Sequence, residues 1–401
     1  MALLPVEEAL SRVLETAKPT DEEKLALNEA AGRILSRPVY SLRTHPPFNA
    51  SAMDGYAVRF ADLSKAPAKL RIIGQSAAGS GFHGSIGFRE TVRIFTGAPV
   101  PRGADTVIIQ ENTHNLDGDE VEILQPAPLG KNIRQQALDF SEGDLLLERG
   151  RSLDPAALSL AAAGNHTSVF VWKKPVVALI ATGDELVPPG DVLGPDQIIS
   201  SNSYGVAAII KEAGGTVIDL GIVPDNRELL HAAVQSALDS RADVVVTLGG
   251  ASVGDHDFVN PVLTAHGFRF DFWKIAMRPG KPLMFGRLGT SRCLGLPGNP
   301  VSSLICSHLF LKPLIYALGG QKQPNNITDA ILEVPLAAND SRQDYVRATA
   351  EMRNGTMYVQ PFEQQDSSLL RALADANCAI IRPPEASPAK KGDSCQIMLL
   401  R

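Results

Sequence analysis

Three textures of apolar spacing divide the chain. Val6, Ala9, Leu10, Val13, Leu14 and Ala17 recur at intervals of three and four, which predicts an amphipathic helix over residues 5–18. From about 40 to 150 that period gives way to short β-rich runs separated by Gly, Pro and Asp turns. These runs are Leu70-Arg71-Ile72-Ile73, Thr91-Val92-Arg93-Ile94-Phe95, Thr106-Val107-Ile108-Ile109 and Val121-Glu122-Ile123-Leu124. Residues 155–163 read as a helix stopped by Gly164. From 175 to 318 the order becomes strand, turn, helix. Val176-Val177-Ala178-Leu179-Ile180 has no polar alternation, as expected of a strand covered on both faces.

The repeat continues with a helix at 203–213, for which Asn202 is the expected N-cap and Gly214-Gly215 the stop. A strand at 216–220, a helix at 227–238 and a strand at 243–248 follow. After a further helix come strands near 268–273 and at 293–296. The closing helix runs from Pro300 to about Leu318, with Asn299 as N-cap and Pro300 at the first position. Alternating strands and helices imply a doubly wound parallel sheet that binds ligands beyond the carboxyl ends of its strands. Asn354-Gly355, flanked by Tyr345–Thr349 and Met357–Val359, predicts a hairpin. The resulting division is a helical and linker part (1–40 with 145–174), a β-rich domain (41–144), an α/β domain (175–320) and a C-terminal β domain (326–401).

Composition narrows the function. A length of 401 residues allows two to four domains, and 44% hydrophobic with 20% charged residues is ordinary for a globular protein. A net charge of −6 and 5% aromatics argue against nucleic-acid binding, which wants a basic face or a stacking platform. The four cysteines, Cys293, Cys306, Cys378 and Cys395, form no C-x-x-C pair, so they read as small buried groups in a reducing compartment. No apolar stretch approaches the roughly 18 residues of a membrane span. The N-terminus turns acidic at Glu7-Glu8, unlike a signal peptide, and a cytoplasmic location is expected.

The chemistry concentrates where the strands of the α/β region end. Gly249-Gly250-Ala251-Ser252-Val253-Gly254 offers bare amides to a phosphate, although such a turn also stands without a ligand. It matches neither the dinucleotide fingerprint nor a Walker loop, since Pro282 follows Gly280-Lys281 where Ser or Thr would be needed. Asp255 and Asp257 follow that turn, Asp184 and Glu185 follow the first strand, and Asp225 follows the second. Carboxylates on one sheet edge can share a hard cation that also takes phosphate oxygens, while each alone reads as a cap or solvated charge. Lys274, Arg278 and Lys281 surround a Pro-Gly turn, a grouping that favours an anion between them. The helix opened by Asn299-Pro300-Val301-Ser302-Ser303 presents N–H groups and hydroxyls to a second anion. His256 and His266 have no metal-ligand spacing and read as loop or core residues.

Longer motifs add to this. Pro46-Pro47-Phe48-Asn49-Ala50-Ser51-Ala52-Met53-Asp54-Gly55-Tyr56-Ala57-Val58, Arg93-Ile94-Phe95-Thr96-Gly97-Ala98-Pro99-Val100-Pro101, Gly130-Lys131-Asn132-Ile133-Arg134 with Asp139, Arg342-Gln343-Asp344-Tyr345-Val346-Arg347 and Asp366-Ser367-Ser368 occur in that order. Together with the strand-end segments they make the chain resemble, end to end, the MoeA family of molybdopterin molybdenumtransferases, which includes the E domain of gephyrin.

The resemblance implies a central molybdopterin-binding-type α/β domain with a β-rich insertion, a helical linker and a C-terminal β domain. It implies that molybdenum passes from molybdate to adenylylated molybdopterin, with Mg²⁺ or another divalent cation, and that AMP is released. It also implies an elongated homodimer whose cleft lies between the central domain of one protomer and the Asp54 and Thr96 domain of the other. An upstream adenylyltransferase and molybdoenzyme apoproteins are the further partners it suggests. Catalytic roles then fall to Asp54, Thr96, Asp139, Glu185, Asp225, Asp255, Asp257, Lys274 and Lys281. The metal falls to a subset, left open, of Asp184, Glu185, Asp225, Asp255 and Asp257. Phosphate and adenylate belong near Gly249, Gly250, Ser252 and Gly254. Molybdate suits Arg278, Lys281, Ser302, Arg347 and Ser367, with Pro282, Asn299 and Pro300 shaping the site.

Three positions depart from the pattern. Arg278 stands where Lys is commoner, Ala137-Leu138-Asp139 replaces Gly-Glu-Asp, and Ala251 replaces a common Val. Two other readings compete. A molybdopterin adenylyltransferase resembles residues 175–318 but lacks the surrounding β domains and the Asp54 motif. A non-catalytic scaffold, as in gephyrin, would have little use for an intact set of site residues.

Overall fold

The structure, a computed structural model, describes residues 3–250 and 258–401. The chain divides into two compact units, one of residues 24–31 and 37–169, the other of residues 1–23, 32–36 and 170–401.

The smaller unit is built on a six-stranded sheet in the order Thr106–Ile109, Gly55–Val58, Glu90–Ile94, Ala68–Ser76, Glu120–Ile123 and Thr113–Asn115. Tyr56, Leu70, Ile108, Val121 and Ile123 pack on one face, and Ala57, Ile86, Val92, Ile94 and Val107 on the other. Neighbours along Gly55–Val58 and along Thr106–Ile109 thus point to opposite sides, as the two-residue period requires. The helix Pro155–Ala163 begins at Asp154, whose carboxylate accepts the Ala157 N–H at 2.8 Å, and ends at Gly164.

In the larger unit the central sheet runs Thr216–Val223, Val176–Thr182, Val244–Leu248, Ser291–Leu296, Met284–Leu288, Phe268–Trp273. The first four are parallel. The last two make the sheet mixed, because Met284–Leu288 pairs antiparallel with both its neighbours. The cause is the two-residue connection Gly289-Thr290, too short for a parallel crossover. Two reversals in succession leave Phe268–Trp273 pointing the same way as the parallel strands. The segment from Lys274 to Leu283 therefore emerges at the same sheet edge as Gly183, Pro224, Gly249 and Pro297.

Apolar cores lie on both faces of this sheet. Val6, Ala9 and Val13 of the first helix, Val6–Glu15, join the core that also holds Val177, Leu179, Val244 and Leu294. The helical run from Pro300 to Leu318 contains a π-turn at Ser307–Leu311. Contrary to the sequence expectation, it is long and apolar enough to cross a membrane, with a mean hydropathy of 1.5. However, 72% of its apolar window is buried, and Val301, Ile305, Phe310 and Leu314 belong to the same core. It is the central helix of the unit.

Residues beyond 326 form a second sheet that closes on itself. Gln343–Arg353 pairs with Thr356–Pro361 across Asn354-Gly355 and also with Cys378–Arg382. Closure leaves few free strand edges. A short strand of the central segment, Met277–Arg278, adds in parallel to Gln343 and Asp344.

Candidate functional site

Beyond the carboxyl ends of the parallel strands lies a cavity of about 610 Å³. Its floor is Ala181, Thr182, Leu248 and Gly249, where two strands end side by side. One wall is Glu185, Leu186 and Ile198 to Asn202, held by the short parallel pairing of Leu186 and Val187 with Ile198 and Ile199. Another is Pro297–Pro300 with Ser302, and the rim is completed by Pro282, Ser368 and Leu370. The fold thus brings Glu185, Gly249, Pro282, Asn299, Pro300 and Ser302 around one space. Among the described lining residues Glu185 is the only charged one.

The Glu185 carboxylate lies directly over Gly183. A Cβ at that glycine, whose φ is +145°, would sit 2.3 Å from Oε2. Asp184 Oδ1 accepts the Asp225 N–H at 2.9 Å. Ser252, Gly254, Asp255 and Asp257 lie outside the described residues. Among the described residues no three His, Cys, Asp or Glu side chains gather into a metal cluster. The available donors fit an ion of the magnesium type, which takes one or two carboxylates and completes its shell with ligand phosphates and water.

Of the two expected asparagine caps, Asn299 is found at its position and Asn202 is not. Asn202 lies inside the helix Asn202–Glu212, after Ser201, and caps nothing. Its Nδ2 donates to the Gly298 carbonyl at 2.7 Å, tying two cavity walls together. Its Oδ1 is buried without a partner, and turning the amide over would set that oxygen against the carbonyl. Asn299 holds the cap position of the helix at Pro300 without a side-chain cap bond. Its Nδ2 donates to Ser367 Oγ at 3.0 Å instead, and the Ser367 carbonyl accepts the Val301 N–H at 3.1 Å. Ser367 is therefore docked on the opening of that helix, beside Ser302, which is 4% exposed.

The expected cations separate. Lys281 is exposed and makes no ion pair among the described residues, and its carbonyl accepts the N–H groups of Ile275 and Leu283 at 3.0 Å each. Lys274 has φ +70°, and its Nζ lies 4.2 Å from the centre of the Trp273 ring. Arg278 pairs closely with Asp344, its register partner, and with Asp340 at 3.3 Å, and it donates to Asn339 Oδ1. These carboxylates, Asp344 foremost, hold its pKa above the usual value. Arg347 is 1% exposed and is not a lining residue. Its guanidinium donates to Gln365 Oε1 and to the carbonyls of Leu369 and Gln364, all neutral acceptors. Burial lowers its pKa, opposed by Asp366.

In the smaller unit Asp54 accepts both the N–H of Thr96 at 2.7 Å and its hydroxyl at 2.8 Å. Those two bonds, helped by Arg93, hold the carboxylate below its usual pKa. Asp139 is exposed, and its N–H donates to the His45 carbonyl at 3.1 Å. Sequence reasoning passed over Gln365 and the Ile198-Ile199 wall, read Asn202 only as a cap and named Ser368 only within a motif. Ile198-Ile199, an apolar pair after a Gly-Pro-Asp turn, was the one legible signal among them.

A cavity at the carboxyl ends of parallel strands, with one carboxylate, a docked serine loop and an exposed lysine nearby, is the kind of site that multidomain α/β enzymes carry. Residues 4–164 match the MoeA N-terminal region (domain I and II), 178–317 a probable molybdopterin binding domain and 329–400 the MoeA C-terminal region (domain IV). Two relatives named molybdopterin molybdenumtransferase are similar over nearly the whole chain. That of Haemophilus influenzae is 39% identical over 98% of both chains. That of Bacillus subtilis is 33% identical over 99% of this chain and 94% of its own. The crystal structure of the molybdopterin biosynthesis MoeA protein of Pyrococcus horikoshii superposes with a TM-score of 0.85, at 29% identity and full coverage of both chains. The chain belongs to the MoeA family.

Proposed function

We propose that this chain transfers molybdenum from molybdate to adenylylated molybdopterin and releases AMP. The observation that carries this reading is the match of all three family regions in order along the chain. The cavity geometry agrees with it. The Gly249-Gly250 turn and the residues after it take the phosphate end of the ligand. Ile198, Leu248 and Leu370 offer apolar walls to its ring system. Lys281, Ser302 and Ser367 receive the tetrahedral anion, and the buried Arg347 charge, with no carboxylate paired to it among the described residues, adds attraction from behind. Arg278 contributes less than an unpaired lysine would, because Asp344 and Asp340 already occupy it. A magnesium-type ion belongs with Glu185, Asp184 and Asp225, joined by Asp255 and Asp257, where it would neutralise charge growing on the phosphates.

Asp54, Thr96 and Asp139 complete the site from a second protomer in this reading, with the four-part domain division of the family. Lys274, stacked on Trp273, fixes the entry to the cation loop. The cysteines support a reducing, cytoplasmic setting, since all four are free and burial pushes the Cys293 and Cys378 thiols up to about 12.

The test supplies adenylylated molybdopterin, molybdate and Mg²⁺ to the purified chain and follows AMP by chromatography. Molybdenum on the dithiolene is followed by activation of an apo-molybdoenzyme. AMP release that depends on molybdate, and falls at least about a hundredfold in Glu185→Gln, is expected. Formation of adenylylated molybdopterin from ATP, or no AMP at all, refutes the proposal. Sharing of the site is read by mixing Asp54→Ala with Glu185→Ala chains, since only a hybrid of the two regains an intact cleft. Activity that stays at the level of the separate variants refutes sharing.

A further inference from the structure

We infer that Gln365 is a positioning residue that sets both the Arg347 guanidinium and the Ser367 loop for the anion. The inference rests on the molybdate reading above and extends it to a residue outside every motif.

The side-chain amide of Gln365 closes a double bond onto one backbone position. Its Oε1 accepts the Arg347 N–H at 3.0 Å, and its Nε2 donates to the Arg347 carbonyl at 3.0 Å. Ladder pairing of Gln343–Arg353 with Thr356–Pro361 begins only at Ala348. The Arg347 carbonyl still accepts the Phe362 N–H at 3.0 Å, so the Gln365 amide stands in for a strand partner at the Arg347 N–H and adds a second donor to its carbonyl, an acceptor and a donor in one group. The same Oε1 accepts Nε of the Arg347 guanidinium at 3.3 Å, and Nε2 also donates to the Phe362 carbonyl at 2.8 Å. One exposed glutamine thus satisfies a backbone site, orients a buried cation and folds residues 362–365 back on the sheet.

The consequence reaches the cavity through two short links. The guanidinium goes on to the carbonyls of Gln364 and Leu369, on either side of the serines. Ser367 then receives Asn299 Nδ2 and the Val301 N–H, and Ser368 and Leu370 line the cavity rim. Asp366 tightens the turn by accepting the Ser368 N–H at 2.9 Å and its hydroxyl at 2.6 Å. Nothing in this chain of bonds needs Gln365 to touch a ligand. Its effect is on where the serine hydroxyls and the buried charge stand.

Three variants test it. Gln365→Ala removes the amide, Gln365→Glu keeps the acceptor but sets an oxygen against two carbonyls, and Arg347→Lys keeps charge without the fork. The expected result for Gln365→Ala is a rise in KM for molybdate on the order of ten- to a hundredfold with kcat nearly kept, as for a small misplacement of binding groups. Amide exchange of residues 364–370 should quicken in the ligand-free protein. Gln365→Glu should raise the molybdate KM at least as much as Gln365→Ala, because its carboxylate would pair with the Arg347 charge and face two carbonyls, and Gln365→Ala should add little to Arg347→Lys. An unchanged molybdate KM in a loop that has loosened overturns the inference, and so does a loop that does not loosen. If Gln365→Ala fails to fold, Gln365→Glu is judged by the same two readouts. Failure of the parent to release AMP refutes the transferase reading instead, and molybdate binding by calorimetry with loop exchange then still decides the role of Gln365.

Discussion

Gly280 decides where the Lys281 side chain starts, and its replacement can be costed from the structure. It is buried with φ +111°, and an added Cβ would lie 2.5 Å from Cys306 Sγ and 3.2 Å from Met277 Cε. Gly280→Ala meets two separate penalties. Left-handed backbone costs an L-residue about 1–2 kcal/mol. The sulfur contact is roughly 1 Å inside normal separation, and relieving such overpacking costs about 1–3 kcal/mol. The single variant should lose about 2–5 kcal/mol. Cys306→Ala removes one buried atom and should lose about 1 kcal/mol, like other one-group truncations.

In the double variant the Cys306 contact is gone, so only the backbone penalty, the truncation and the milder approach to Met277 persist. The pair should therefore be less damaging than the sum of its parts by about 1–3 kcal/mol. Urea unfolding followed by tryptophan fluorescence is the suitable assay, because both tryptophans, Trp172 and Trp273, belong to the larger unit. A single transition of that unit can then be read without the other domain. Gly280→Ala should also raise the molybdate requirement, and Cys306→Ala should partly restore it. Additivity within about 0.5 kcal/mol would show that the close approach of this turn to the helix at Pro300 does not set its position.

Two further outcomes follow from the same geometry. His308 sits in the π-turn with its pKa lowered from 6.5 to about 4, chiefly by burial and then by Lys312, with Glu212 opposing. The unfolded chain binds that proton first, so stability is intact above about pH 6.5 and drains away as pH falls towards 4. His308→Gln should flatten the decline of urea midpoints between pH 7 and pH 5, and parallel declines would refute the assignment. Arg278→Lys gives up the fork to Asp340 and Asp344, a half-exposed pairing worth about 1 kcal/mol or less. The freed ammonium should lower the molybdate KM, and a higher KM would show that the fork itself serves the anion.

What the sequence could and could not disclose follows from the range of the forces involved. Val176–Thr182 and Val244–Leu248 were legible because strands covered on both faces leave unbroken apolar runs, whereas the edge strand Thr216–Val223, interrupted by Asp219 and Gly221, was legible from its place between two helical segments. Met284–Leu288 was missed because Gly286 and Arg287 interrupt its run and Gly289-Thr290 is a weak turn signal. The convergence of strand ends was legible from topology alone, and the two successive reversals preserve it for the Lys274–Pro282 segment. Individual side-chain partners were not legible. Asn299 sits at a cap position and Asn202 one residue inside its helix, and neither side chain makes a cap bond. A carbonyl 96 residues away and a serine 68 residues away compete for their amides and win. Arg278 reads as an open cation until Asp340 and Asp344 arrive from 62 and 66 residues further on. Gln365 carries no motif, because its work is done on backbone atoms that any sequence would supply. Motifs expose the groups that meet a ligand; the groups that place them are chosen by tertiary geometry. In this chain the arginine that reads as a ligand, Arg347, is bound into that supporting layer at every hydrogen bond its guanidinium makes among the described residues.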